Sequence, residues 1–152
     1  MGQRFLTPSA VVVMITKICL GQTYVLLQRR KNTGFADGLW DLSCSGHVED
    51  GESMTDACVR ECAEELGIHV AREDLKFFTL IHKRDKECNL VYYNGYFYLN
   101  KYEGQPTVCE HDKCSQICWF NILSLPEDII PDRRAAIEAY IAKVPYLEYG
   151  WK

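Results

Sequence analysis

The chain has 152 residues, 47% of them apolar and 25% charged, with a net charge of −4. That length suits one domain spanning residues 1–152 with its own buried core, and the composition excludes a disordered chain. The acidic balance argues against a protein that grips a nucleic-acid polymer through its phosphates, since that work needs a basic excess.

Residues 9–19 hold the run Ala10-Val11-Val12-Val13-Met14-Ile15, whose β-branched content predicts a buried strand. Following Arg4, the run could pass for a signal-peptide core. It is short, however, and Thr16, Lys17, Ile18 and Cys19 follow it instead of a small-residue cleavage site. No window approaches the roughly 18 apolar residues of a membrane-spanning helix. Leu6 stands where an N-myristoylation signal needs Ser or Thr. A cytoplasmic protein without a membrane partner is expected.

Gly21-Gln22 reads as a turn and residues 24–28 as the second strand of a hairpin. Residues 31–38 form a polar loop, and 40–42 a short strand leading to Gly46. Residues 52–66 read as a helix stopped by Gly67. Two more strands follow at 75–82 and 90–99. In the second, Tyr92, Asn94, Tyr96 and Tyr98 share one face, and Val91, Tyr93, Phe97 and Leu99 the other. After a loop at 101–115 come a strand at 116–120 and a last helix at 132–143, which Asp132 can cap after Pro131. Mixed strands with a central and a terminal helix predict an α/β sandwich with helices on both faces of the sheet.

Eight cysteines are many for this length, but none forms a C-x-x-C pair. They read as free thiols in a reducing compartment. Cys109, Cys114 and Cys118 near His111 fit no standard zinc spacing.

The acidity is concentrated. Between Glu49 and Glu65 stand seven carboxylates against one base, Arg60, a local net charge of −6. On the helix, Val59, Cys62, Ala63 and Leu66 form an apolar stripe at i, i+3, i+4, i+7, assigned to the core. Glu61, Glu64 and Glu65 fall together on the opposite face. Like charges at that spacing destabilise a helix, and three together form an oxygen cage suited to a hard divalent cation such as Mg²⁺. Spacing alone leaves a merely solvated acidic face equally open.

The stretch Gly46-x5-Glu52-x7-Arg60-Glu61-Cys62-x-Glu64-Glu65-x-Gly67-Ile68 resembles the Nudix box, G-x5-E-x7-R-E-U-x-E-E-x-G-U with U apolar. Every fixed position matches. Cys44-Ser45 stand where that family often has Pro-Gly before the first glycine. The hairpin ending Leu26-Leu27-Gln28-Arg29-Arg30 and the Trp40-x-Leu42 lead-in also resemble the family. The resemblance implies a Nudix-type α/β/α sandwich. It also implies catalytic roles for Glu52, Arg60, Glu61, Glu64 and Glu65, and one or more Mg²⁺ ions, or Mn²⁺ in substitution, held by Glu61, Glu64, Glu65 and the Gly46 carbonyl. Arg60 cannot be a ligand; it is expected to orient Glu52 or Glu61 through a bidentate contact. A carboxylate takes a proton from the attacking water; Glu64, Glu65, Glu87 and Glu110 are all open candidates.

The family hydrolyses a nucleoside diphosphate linked to another group. The proline that ADP-ribose-cleaving members carry about sixteen residues past the box is absent; Lys83 or Arg84 stands near its place. The segment Glu110-His111-Asp112-Lys113-Cys114-x3-Cys118-Trp119-Phe120, followed by Leu125-Pro126, resembles small MutT-type proteins that hydrolyse nucleoside triphosphates. The expected reaction therefore converts a nucleoside triphosphate (normal, modified or oxidised) into the monophosphate and pyrophosphate, in a monomer or homodimer. Two alternatives are a Nudix hydrolase of a nucleotide sugar or ADP-ribose, and a non-catalytic nucleotide sensor. Sensors of this family often lose box carboxylates, and all are present here. Expected substrate contacts are Arg29, Arg30, Phe35, Asn94, Glu110 and Trp119. The arginines, with Lys31, either neutralise distal phosphates or form a solvated basic cluster. The aromatic residues supply either flat walls for a base or ordinary sheet packing.

Overall fold

The valine-rich run becomes β1 (Ser9–Cys19), the strand on which a mixed eight-stranded sheet is organised in a computed structural model describing residues 2–152. Leu20 and Gly21, at φ 51° and 75°, make the tight turn into β2 (Gln22–Arg30), so the turn sits one residue earlier than Gly21-Gln22. β2 pairs with β1 only over Thr16–Cys19, then leaves it for β3 (Trp40–Leu42) and β7 (Cys114–Asn121). The other half of β1 pairs antiparallel with β4 (Cys44–His47) and parallel with β6 (Leu90–Leu99). This change of partner along one strand opens a cleft between β4 and the outer half of β2. β5 (Lys76–Asp85) continues the sheet, and β8 (Tyr146–Tyr149) pairs parallel with it. β8 was not expected from the sequence. Four residues of mixed polarity carry no strand signal of their own; the exposed β5 backbone supplies the pairing.

Alternation along β1 distributes the core. Val11, Val13 and Ile15 pack with Ala57, Cys58, Cys62 and Leu66 of α1 (Met54–Leu66). Val12 and Met14 pack with Ile81, Tyr96, Ala136 and Ile137, the last two from α2 (Pro131–Ala142). The result is the expected α/β/α sandwich.

Both helices start differently from expectation. Ser53 caps α1 in a reciprocal box, the Asp56 N–H donating to its Oγ and its own N–H to Asp56 Oδ2, each at 3.1 Å. Glu52 thus precedes the cap and does not sit in the first turn. Gly67 ends the helix at φ 68°, as expected. α2 begins with Pro131 at its first position, and Ile130 occupies the cap position without a side-chain bond. Asp132 does not cap; it is buried beside Arg133 and Lys83. The buried stripe of α1 is also rotated from the expected one. Ala63 is exposed and Glu61 is buried.

Two glycines explain the rotation. Gly46 and Gly95 both pair with Val11, on β4 and β6. A side chain at Gly46 would overlap the Glu61 carboxylate, and a Cβ at Gly95 would lie 2.7 Å from Met54 Sδ. The pair forms a shallow notch into which α1 settles, with an ionisable side chain pressed against the sheet. The eight cysteines are free. Cys44 turns inward, its Sγ 3.5 Å from that of Cys62, and not toward the cleft. Among the described residues no helix is long and apolar enough to cross a membrane.

Candidate active site

The cleft encloses a cavity of about 830 Å³, a size that suits a nucleotide-sized ligand. Glu61, Glu64 and Glu65 enter it from α1, and Ser45, Gly46 and His47 from β4. Arg60 organises the acidic side. Its Nε and Nη2 donate to the two Glu52 carboxylate oxygens at 3.1 and 2.6 Å, and Nη2 also donates to the His47 carbonyl at 3.0 Å. Nη1 reaches Glu61 Oε1 at 2.7 Å and Glu64 Oε2 at 3.3 Å. The bidentate bond fixes Glu52, whose pKa is lowered chiefly by that contact. Glu52 does not line the cavity. Together with Arg60 it braces the turn from β4 into α1.

The carboxylates are held under electrostatic tension. Burial raises the Glu61 pKa, against the opposing pull of Arg60. Glu65 accepts the Ser45 N–H at 3.0 Å, yet burial and then the nearby Glu61 push its pKa up to about 9. A cation placed among these oxygens would relieve both effects. No group of three His, Cys, Asp or Glu side chains among the described residues converges at ligand distance. The reason lies in Arg60, which draws Glu61 and Glu64 onto its own guanidinium. The donor set is nevertheless all oxygen, faces one cavity and carries excess negative charge, which fits a hard divalent cation.

A basic and amide-bearing wall faces this acidic side. Asp41, fully buried, accepts from Arg133 Nε at 2.6 Å, Arg30 Nη1 at 2.8 Å and the Leu42 N–H at 2.7 Å. Burial opposes its ionisation, but the two arginines outweigh burial and hold its pKa below the ordinary value. Arg133 also donates to the Tyr96 hydroxyl at 2.8 Å, and Asp132 meets Lys83 at 3.4 Å. Arg30, Lys83 and Arg133 thereby line the cavity with their charges already partnered. The Phe35 ring lies between Arg30 and Lys83, each 5.1 Å from its centroid. The 31–38 loop holds it there through Asp37, which accepts from Thr33 and Gly34.

Of the expected substrate contacts, Arg30, Phe35, Asn94 and Glu110 line the cavity. Arg29 and Trp119 lie outside it. Arg29 is turned to Asp128 at 2.9 Å and the Gly38 carbonyl at 2.9 Å. Trp119 packs against the α1 core, with Lys17 Nζ 4.2 Å above its ring. Both follow from strand alternation, which sends neighbouring side chains to opposite faces. Glu87, one of the open base candidates, also lines the cavity. Tyr92, an aromatic residue the sequence offered as a possible flat wall, lines it too, and Gln28 and Arg133 are additions. Arg133 carried no local signal, since its partner Asp41 is 92 residues away.

Sheet, helices and site together define an α/β/α sandwich with a carboxylate-lined cleft. A family model described as the NUDIX domain matches residues 7–140. The chain belongs to the Nudix family. It is 30% identical over 103 residues to isopentenyl-diphosphate Delta-isomerase 2 of Photorhabdus laumondii, covering 66% of this chain and 56% of that protein. It is 27% identical over 127 residues to the uncharacterized Nudix hydrolase YfcD of Escherichia coli K12, covering 81% of this chain and 67% of that one. The chain thus spans between about half and two thirds of these relatives' length. Among solved structures, a MutT NUDIX hydrolase from Burkholderia pseudomallei matches with a TM-score of 0.76 at 25% identity, covering 92% of this chain and 99% of that one. The NUDIX domain of Shewanella oneidensis NrtR, solved with ADP ribose, has the same fold, with a TM-score of 0.72 at 17% identity and coverage of 93% and 90%.

Proposed function

We propose that this cavity hydrolyses a nucleoside triphosphate to the monophosphate and pyrophosphate, with Mg²⁺ as cofactor and Mn²⁺ able to replace it. The observation that carries the reading is the placement of Glu61, Glu64, Glu65 and Gly46 around one cavity, opposite a wall bearing Phe35, Asn94 and Glu110. Glu61, Glu64, Glu65 and the Gly46 carbonyl would hold the cation, which supplies charge neutralisation on the diphosphate and activation of water. Arg60, which holds Glu52, Glu61 and Glu64 on its guanidinium, would act by positioning them and would yield oxygens of Glu61 and Glu64 to the cation. Glu64, Glu65, Glu87 and Glu110 all line the cavity and are the carboxylates available to accept the proton of the attacking water. Arg30 and Lys83 give the distal phosphates an electropositive wall. The substrate choice rests on the 110–120 segment and its likeness to MutT-type proteins.

The presence of all the box carboxylates favours turnover over a purely sensing role. The isopentenyl-diphosphate isomerases among the relatives raise an aliphatic diphosphate as a competitor, and the polar wall speaks against it. The test is a panel of (deoxy)nucleoside triphosphates, with oxidised and methylated bases, run beside ADP-ribose, nucleotide sugars and isopentenyl diphosphate under saturating Mg²⁺. Monophosphate and pyrophosphate from a triphosphate, abolished by exhaustive chelation, are expected. Faster turnover of any non-triphosphate, or full activity in chelator, would overturn the reading.

A further inference from the structure

Two amide side chains on the inner wall of the cavity take no part in the chemistry above. Asn94 on β6 is only 5% exposed and lines the cavity. No described protein group hydrogen-bonds its carboxamide. Thr79 Oγ1 is the one fully sealed side-chain polar atom left without a partner among the described residues, so the unpaired Asn94 amide opens onto the cavity. Gln28 on β2 is 6% exposed and donates from Nε2 to the Ser43 carbonyl at 3.2 Å. A carbonyl cannot donate, so this amide cannot be flipped, and its Oε1 remains as an acceptor.

The sheet register sets the distance from the acidic side. Ala10 pairs with His47 on β4 and with Asn94 on β6. Asn94 therefore stands two strand spacings, about 10 Å, from the strand that carries Gly46. Asn94 and the carboxylates line the same cavity, whose size suits a ligand with its diphosphate at the carboxylates and a flat ring beside Asn94. Flat walls are available in Phe35 and in Tyr92, whose ring centroid lies 5.9 Å from that of His47. An aliphatic chain in the same place would cover the Asn94 carboxamide and leave it unpaired, which costs binding.

Building on the nucleotide reading, we propose that Asn94 is the specificity-determining residue of the cavity, reading the hydrogen-bonding edge of a heterocyclic base with Gln28 as a fixed acceptor. A carboxamide offers one donor face and one acceptor face, so it selects edges that present the complementary pair. An aspartate at this position would offer acceptors only and would favour edges rich in donors.

The experiment measures equilibrium binding of AMP, GMP, CMP and UMP to the full chain in chelator, where no hydrolysis occurs, for the wild type, Asn94→Leu and Asn94→Asp. Thermal melts check that each variant is folded. The wild type is expected to separate best from worst base by about tenfold or more, the worth of one well-made hydrogen bond. Asn94→Leu should collapse that spread, and Asn94→Asp should reorder the bases toward donor-rich edges. A wild type without base preference, or a folded Asn94→Leu that keeps the wild-type order, overturns the proposal. A parallel measurement of kcat and KM on the triphosphates with Mg²⁺ separates the two readings. Base-selective binding that depends on Asn94, without triphosphate turnover, would leave this inference standing and retire the hydrolytic one.

Discussion

Replacing Asp41 with Asn changes one atom of the buried ion cluster and tests whether that cluster holds the cavity wall in place. Asp41 is fully buried and accepts from Arg133 at 2.6 Å and Arg30 at 2.8 Å. The asparagine must turn an NH₂ toward one of these guanidinium groups, setting donor against donor, and it leaves the buried Arg133 short of a counter-charge. Removing one partner of a buried pair costs about 3–5 kcal/mol. For a protein of this size each kcal/mol lowers Tm by about 2–4 °C, so a fall of roughly 6–20 °C is expected. Asp128→Asn supplies the contrast. Asp128 meets Arg29 at the similar distance of 2.9 Å, but the two side chains are 45% and 39% exposed. Such a pair is worth at most about 1 kcal/mol. The pH dependence follows from the same contacts. Asp41 is held below its unfolded value of 3.8, so its stabilisation is present above that pH and is lost as pH falls through the lower folded value. Calorimetry at pH 7 in chelator, with a second series toward acid pH, reads all of this. A loss for Asp41→Asn no larger than that for Asp128→Asn would refute the reasoning.

Two further outcomes concern the acidic side. Glu64→Gln should leave the fold intact, because the Glu64 side chain is 55% exposed and its contact with Arg60 is only 3.3 Å. Turnover should drop by about 10²–10³-fold, the usual loss for one preorganised electrostatic group; wild-type kcat at saturating Mg²⁺ would sink its proposed role. In the metal-free protein, Glu65 titrates near 9 against an ordinary value of 4.5. Its contribution to stability is therefore fully present below the lower value and is lost as pH rises through the upper one, at up to about 1.4 kcal/mol per pH unit from this group alone. Melting curves in chelator from pH 5 to 9 should fall, Glu65→Gln should flatten them, and Mg²⁺ should restore most stability at the alkaline end. A flat wild-type profile would remove Glu65 as the cause.

The sequence by itself determined the parts that depend on neighbours along the chain. The β-branched run of β1, the αL stop at Gly67 and the glutamates of α1 are short-range features, legible from residue type and periodicity. The acidic face was legible for the same reason, since Glu61, Glu64 and Glu65 share one helical turn. Only tertiary structure decided how that helix is rolled. The Gly46–Gly95 notch lies on two strands joined through Val11, and it pulls Glu61 into the buried face while leaving Ala63 in solvent. Strand alternation, invisible until pairing is known, kept Arg30 in the cavity and sent Arg29 to Asp128. The second wall belongs to the fold alone. Asp41, Arg133, Tyr96 and Lys83 come from four different elements, and a buried charge reveals its partner only once the chain has closed around both.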